Sequence, residues 1–524
     1  MSCSKRFLPE LTIEVTKYLQ NDYSTLYSCI LVNRFWCHLA TPLLWENPFS
    51  IRTENYNFIE IYLQFSNDDF KTKLKEYNII NNSLSSKTLF NYPSFLKYLN
   101  IHKLIISVQE WYDAFNIKAS KSENSVLDLD FKRLICISLF RIFIENEVNL
   151  YTLEIEIDFI NNNCYYPCLN DILELILQNT NFIHNIRNLN FFIESIVDYS
   201  REFALTKYRI LQIINLHQNL KKILLGHDNL HLYQELLSSE DLYNCSNTLN
   251  TIIFYCINFN YITNLNRIFD QLNGLKSVHI IDCLSLNNYF AQQIINLTKP
   301  FKLKSLSIRE ISESEIESLK LLIQKSCDYL ENFGYGGSKY EIYDSLLEQQ
   351  ILGLIITCCK NIKFLNLIID DNQQKIYQEF NLIENIKQNL NYLSITINNI
   401  ECSSILLQNL GQTIPSKLEY LHLYLNWIRE CDIEVFLKNS QDTFIKKLLI
   451  RSIYNQKDIL PTIKKYLFKK RRVKYLAFDV IYNMYDKISF SLKDETKEFK
   501  LNDVIVQSYH SLVINKLNFI KEVY

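Results

Sequence analysis

The chain has 524 residues, 48% of them apolar, and 55 lysines and arginines against 57 aspartates and glutamates leave a formal net charge of −2. That balance gives no electrostatic ground for a nucleic-acid or membrane-surface partner, and only 7 glycines speak against glycine-lined phosphate sites. The length exceeds what one globular core can fill, so the apolar residues must be shared among domains or stacked repeats.

Residues 1–9 are too polar and short for a signal peptide, and no uninterrupted apolar run reaches the ~18–20 residues of a membrane helix. A cytoplasmic or nuclear location is expected, with the 14 cysteines as free thiols. Leu11, Val15 and Leu19 recur every fourth residue, on one helical face. Asn21 and Asp22 can cap a second helix carrying Leu26, Cys29 and Ile30. A third segment with Val32, Trp36, Leu39 and Ala40 is expected to stop at Pro42, ahead of Leu43, Leu44 and Trp45. Three short helices over about 40 residues enclose little core, so part of this surface is expected to face a partner. Mixed helix and polar loop follow, including 66–69 and 81–83, before the first plausible strand at Leu96, Leu99 and Ile101.

From Leu150 a triad of apolar, two residues, apolar, one residue, apolar returns twelve times, starting at Leu150, Ile186, Leu220, Leu249, Leu275, Leu303, Leu330, Ile362, Leu390, Leu418, Ile445 and Val473. Gaps of 26 to 36 residues are those of a leucine-rich repeat. The 54 residues from Leu96 to Leu150 hold a longer, irregular repeat or a helical insertion. Each triad suits a short strand: from Leu390, Leu393 and Ile395 point inward while Tyr392, Ser394 and Thr396 face the other way. The residues between triads return the chain, often through a helix. Residues 346–359 are a clear case, with Leu347, Ile351, Leu354, Ile355 and Cys358 in register. Strands stack ~4.8 Å apart and helices ~8–10 Å apart, so the stack bends, with a parallel sheet on the concave face and helices on the convex face. Cys283, Cys327 and Cys359 fall at structural positions expected to be buried.

The outward strand positions form the candidate binding wall: Phe192, Tyr255, His279, Arg309, Phe364, Tyr392, Tyr420, His422, Tyr424 and Tyr475. Exposed aromatics are typical interface anchors, and those from Phe364 to Tyr424 fall on three successive strands. A compositional surplus of Tyr and Phe is the plain alternative. Replacing Tyr392 and Tyr420 by Ala is expected to weaken target capture without lowering the melting temperature. Asn332, Gly334 and Gly336 are outward too and leave a gap among larger side chains, room for a shallow pocket.

Residues 8–49, with Leu8-Pro9, Val15, Leu19, Leu26, Val32, Arg34, Trp36, Leu44 and Trp45 at signature positions, resemble an F-box. Two departures are a stretch between Pro9 and Val15 one residue shorter than the commonest pattern, and Asn33 where Cys or Ser is more usual. With the repeats behind it, the chain is similar to the F-box leucine-rich-repeat proteins. The resemblance implies an α/β chain of four parts: a three-helix F-box-like module over 1–50, a helical and loop linker over 51–94, a curved solenoid over 95–481, and a C-terminal cap region over 482–524. It implies a substrate-recognition subunit of a cullin-based SCF-type ubiquitin ligase, with no catalytic residue and no cofactor of its own. Leu8, Pro9, Val15, Leu19, Leu26, Val32, Trp36, Leu44 and Trp45 would make the docking module for a Skp-type adaptor. The concave-face residues Tyr255, Arg309, Phe364, Tyr392, Tyr420, His422 and Tyr424 would bind the target protein. The alternative is a leucine-rich-repeat scaffold whose N-terminus only seals the solenoid.

Other chemistry finds little support. Gly334-Tyr335-Gly336-Gly337-Ser338-Lys339 lacks phosphate-loop spacing. His227 with His231, and Cys164 with Cys168, lack the further ligands zinc needs. Cys358-Cys359 falls on a core helix rather than in a basic cleft. The basic stretch 464–474 reads as a solvated helix end, with a nuclear address as the alternative.

Overall fold

The structure, a computed structural model, describes residues 9–19, 22–51, 56–68, 70–72, 88–119, 125–157, 165–193, 201–227, 232–233, 235, 244–309, 312–336, 345–369, 373–455, 459–470, 472–480 and 496–524. Each of the twelve apolar triads coincides with one strand, β2 to β13, and the earlier triad at Leu96 with β1. The chain divides into two compact units, Met1–Asn250 with Leu272–Gly274, and Thr251–Gln271 with Leu275–Tyr524.

The first unit opens with three helices, α1 (Pro9–Lys17), α2 (Tyr23–Ile30) and α3 (Arg34–Leu44). Asp22 caps α2, its carboxylate accepting from the Thr25 backbone N–H at 3.0 Å, and Asn33 caps α3 by accepting from the Trp36 N–H at 3.1 Å. The amide of Asn33 thus supplies the acceptor that a Ser would. Contrary to expectation, α3 continues through Pro42 to Leu44. Proline removes one N–H in the last turn, and the ladder resumes with Trp45 N–H to Thr41 O at 3.2 Å.

Four parallel strands follow in chain order: β1 (Tyr98–Asn100), β2 (Thr152–Ile157), β3 (Asn188–Ile193) and β4 (Lys222–Gly226). The long interval between β1 and β2 is a pair of helices, Ile101–Ala119 and Ser125–Glu145. The stretch after the three-helix module is part of the core: helix Phe58–Leu63 buries Ile59, Tyr62 and Leu63, and the Tyr62 ring meets Phe143 at 5.3 Å. The Tyr62 hydroxyl is buried without a partner, and burial pushes its ionisation far up. A stranded hydroxyl costs about 1–3 kcal/mol, so Tyr62→Phe should hold or raise the melting temperature of the chain; a fall of several degrees would reveal a hydrogen bond the fold depends on.

The second unit holds β5 (Thr251–Tyr255), β6 (Ser277–Ile281), β7 (Leu303–Ile308), β8 (Asn332–Tyr335), β9 (Phe364–Ile369), β10 (Tyr392–Ile397), β11 (Lys417–Ile428), β12 (Phe444–Asn455), β13 (Val473–Val480) and β14 (Ile505–Val506). Each pairs in parallel with the next. The segments beginning at Leu390 and Leu418 are adjacent rungs, with Tyr392 beside Tyr420 and Leu393 beside Leu421. Helices join most of them, among them Ile316–Ser326, Ser345–Cys358, Gln373–Ile386, Ile400–Thr413 and Glu430–Asn439. The inward Leu and Ile of every rung are buried, as Leu393, Ile395, Leu421 and Leu423 are. Parallel neighbours whose crossovers all turn the same way keep their connecting helices on one side, which leaves the other face free of connecting helices, the helix-free face. Gly336 follows β8 at φ 135, where a Cβ would lie 2.2 Å from that of Ile368, so no other residue fits there. Among the described residues no helix is long and apolar enough to cross a membrane.

Candidate interaction surfaces

The N-terminal module sorts its apolar residues into three sets. Leu26 and Ala40 are fully buried and form its interior with Thr16 and Thr41. Trp45 is a joint: its ring lies tilted against Tyr92 at 4.3 Å and meets Tyr62 edge-on at 5.2 Å. Next to it the Glu46 carbonyl accepts the N–H groups of Lys97 and Tyr98 at 2.9 and 3.0 Å, tying the module to the start of β1. The third set faces solvent: Val15 is 54% exposed, Leu31 72% and Val32 61%, with Ile13, Tyr18 and Tyr27 exposed as well. Leu19, Trp36 and Leu44 are half-buried between the sets. Leu8 lies outside the described residues, and of Pro9 only its place at the start of α1 is described. So many exposed Ile, Val, Leu and Tyr on two small helices and the turns after them are unusual for a surface that stays wet.

On the helix-free face of the first unit, β1 to β3 carry a polar ladder. Asn100 donates to Glu154 at 2.7 Å and to Glu156 at 3.1 Å, and Asn190 donates to Glu154 at 3.1 Å. The His102 ring 3.8 Å away, against the pull of burial and helped by Asn100, holds the Glu156 carboxyl down at about 2.

On the same face of the second unit, strand register lines up His279, Ser305, Asn332, Phe364, Tyr392 and Tyr420 as one row. A second row runs Ser307, Gly334, Asn366, Ser394 and His422. The row of aromatics expected from the sequence is therefore assembled, but it is not open. Residues 507–524 double back across it. Gln507 N–H bonds Leu476 O at 3.0 Å, and the chain then leaves β14. The Tyr509 hydroxyl shares a 2.6 Å hydrogen bond with His422 Nε2, under the Arg451 guanidinium at 4.5 Å. Ile514 N–H donates to the Tyr420 hydroxyl at 3.2 Å. Asn515 caps a last helix, Lys516–Val523. From it Lys516 Nζ reaches Asp282 at 3.1 Å and Ser307 at 2.9 Å. The Phe519 ring lies 4.8 Å from both Phe364 and Tyr392. The Tyr524 hydroxyl donates to Glu331 at 2.8 Å and accepts from Asn332 at 3.1 Å, its ring 4.4 Å from His279.

Phe364 is consequently 5% exposed and Tyr420 1%. The expectation that Tyr392 and Tyr420 could be truncated without loss of stability is corrected: Tyr420 is a buried ring bonded to the returning segment. Tyr255, Tyr392, His422 and Tyr424 are half-buried. Tyr424 faces the Arg451 guanidinium at 5.8 Å. Arg309, the exposed member of the set, donates to Cys256 Sγ at 3.7 Å. The gap expected at Asn332, Gly334 and Gly336 exists over Gly334, and Phe519 and Ile520 fill it down to a cavity of about 10 Å³.

Sequence reading missed Asp282, Ser307 and Glu331 on this face, and Lys516, Phe519 and Tyr524 above it. The signal was present in the spacing of Lys516, Phe519 and Ile520, which share one helical face. The Glu331 carboxyl shows how tightly the polar part is knit: burial pushes it up, but hydrogen bonds from Lys304, Lys363 and Tyr524 prevail and hold it at about 2. His422 is pushed down to about 4, first by burial and then by Arg451. His217 in the first unit, buried with both ring nitrogens unpartnered, is also pushed down to about 4, by burial and by His184. Both folded values lie below the 6.5 of a free histidine, so the stabilisation is complete above pH 6.5 and is lost as pH falls toward 4. Each shift is worth on the order of 3 kcal/mol, less for His422 because it keeps some solvent contact. The melting temperature should fall steeply from pH 7 to pH 5, and less so in His217→Phe; a flat profile would contradict these assignments.

The remaining sequence candidates are structural. Arg472 is buried, donating to the Leu437 carbonyl at 3.0 Å and to Ser440 Oγ at 2.9 Å, so it closes the end of helix Glu430–Asn439. Lys464 and Lys465 pair with Glu498 and Glu434 at 2.6 and 2.9 Å. Cys283 and Cys359 are buried, and burial raises both thiols; Cys327, expected buried, is partly exposed at the end of its helix. His231, Cys164 and Gly337 lie outside the described residues. Among the described residues no group of three or more His, Cys, Asp or Glu could hold a metal ion. No protein-family model matches the chain, and no curated protein sequence matches it significantly.

Proposed function

We propose that the chain is the substrate-recognition subunit of a cullin-based SCF-type ubiquitin ligase. The first three helices act as an F-box that docks on a Skp-type adaptor, and the strand–helix repeats act as a leucine-rich-repeat solenoid that captures a target protein. The observation that carries this reading is the exposure to solvent of the apolar side chains Ile13, Val15, Tyr18, Tyr27, Leu31 and Val32. Those six side chains need a partner to leave water, whereas a module that served only as a seal would bury them. Val15 and Val32 are the residues assigned to the adaptor, Leu26 to the module's own interior, and Trp45 to its joint with the repeats. In this role the chain contributes proximity, holding a target near the ubiquitin-conjugating enzyme, and no catalytic residue is needed. The role belongs to the cytoplasm or nucleus.

A second reading is an interaction scaffold whose helical N-terminus only seals the first strand. The two hydrogen bonds to the Glu46 carbonyl favour it, since they do join module and strand. The readings part on one experiment with the full chain: retention of a purified Skp-type adaptor, beside a Trp36→Ala, Leu44→Ala variant. Stoichiometric retention by the native chain, reduced in the variant, supports the receptor; no retention by the native chain supports the scaffold.

A further inference from the structure

The segment lying on the helix-free face of the second unit is of two kinds. Residues 509–514 rest on apolar ground. Tyr509 and Leu512 pack with Tyr420, Leu449 and Ala477, with Ile514 beside them. Without that cover the sheet would expose buried hydrocarbon, so this half belongs to the core. Residues 515–524 rest on mixed ground: the Phe364 and Tyr392 rings lie beneath Phe519, and the polar groups His279, Asp282, Ser307, Glu331 and Asn332 lie beneath the rest. On an open sheet face water can satisfy such groups nearly as well as a protein donor can. The helix itself, Lys516–Val523, has 8 residues, too short to hold its shape in water undocked. Its anchors are few: the Lys516 cation on Asp282 and Ser307, the Phe519 ring on Phe364 and Tyr392, Ile520 in the hollow over Gly334, and the Tyr524 phenol between Glu331 and Asn332.

We propose that the helix-free face of β6–β10 is a binding site for a short amphipathic helix carrying a cation, an aromatic ring three residues later and a phenol or similar polar ring at its far end. Residues 515–524 are the occupant present in the structure, and a partner helix of the same chemistry takes their place. The mode is helix-in-groove recognition, with anchors at i, i+3 and i+4 on one helical face. The hollow over Gly334 is what selects an aliphatic residue next to the ring. Because the site is filled in cis, a partner binds the native chain with an affinity lowered by the fraction of time the site stands open. A strong ligand, or weakening of the cis helix, exposes the face. The inference deepens the reading of this wall as a capture surface and rests on it, but not on the adaptor assignment.

The test uses the full chain and a fluorescent synthetic peptide of residues 514–524. In a Lys516→Ala, Phe519→Ala, Tyr524→Ala variant the melting temperature should stay within about 3 °C of the native value. The variant should bind the peptide at least about tenfold tighter than the native chain does, and adding Asp282→Asn should remove most of that gain. A larger fall in melting temperature would overturn the proposal by showing the helix to be core. So would a folded variant that binds the peptide no better than the native chain. Adaptor retention, measured on the same variants, should be unchanged, so failure of the peptide site and failure of the adaptor reading are seen separately.

Discussion

Leu421→Ala should destabilise the second unit by about 2–5 kcal/mol, the cost of lost burial plus the cavity left behind. Leu421 is fully buried on β11, between Leu393 of β10 and Leu448 of β12. In a stack of rungs each inward leucine touches its neighbours above and below, so one truncation loosens three repeats at once. The effect should appear in chemical denaturation as a lower midpoint. Thr396→Ala, on the same sheet but on the outward side and half-exposed, should change the midpoint little. Equal effects of the two would mean that the alternation of inward and outward positions has been read wrongly.

Val15→Asp combined with Val32→Asp should abolish adaptor capture, lowering affinity by about a hundredfold or more. Both side chains already face solvent, so introducing carboxylates costs the isolated chain little and its melting temperature should not move. Placed in a dry interface, the same carboxylates would be buried without partners. A charge change on a merely solvated surface would leave adaptor binding as it was, and that result would remove Val15 and Val32 from the docking face.

The strands were legible in the sequence because their pattern is local. A triad such as Leu418, Leu421 and Leu423 needs only the period of a strand and the rungs beside it, and it became β11 in register with β10. The start of the second N-terminal helix was legible for the same reason, through Asp22, whose side chain acts on backbone three residues away; Asn33, which caps the third helix in the same way, was read only as a departure from the F-box pattern. Pro42 was misjudged because proline costs a helix least where few N–H groups remain to be paired. The candidate wall was half legible. Alternation identifies Phe364, Tyr392 and Tyr420 as outward, but it says nothing of what lies above them. The cover comes from residues 192 and 234 positions away in the Asn332–Tyr524 and Asp282–Lys516 contacts. No periodicity encodes such pairings. They depend on one helix placing a cation, two apolar groups and a phenol over complementary groups on separate strands. The same holds for the N-terminal module, where sequence named nine docking residues and only packing could separate Leu26 and Trp45 from Val15 and Val32.

The most direct test of the central claim is the molar mass in solution of an equimolar mixture of the full chain and a purified Skp-type adaptor. One species of one-to-one composition is expected at micromolar concentration, which Val15→Asp with Val32→Asp dissolves into two. Two separate species from the native chain would contradict it.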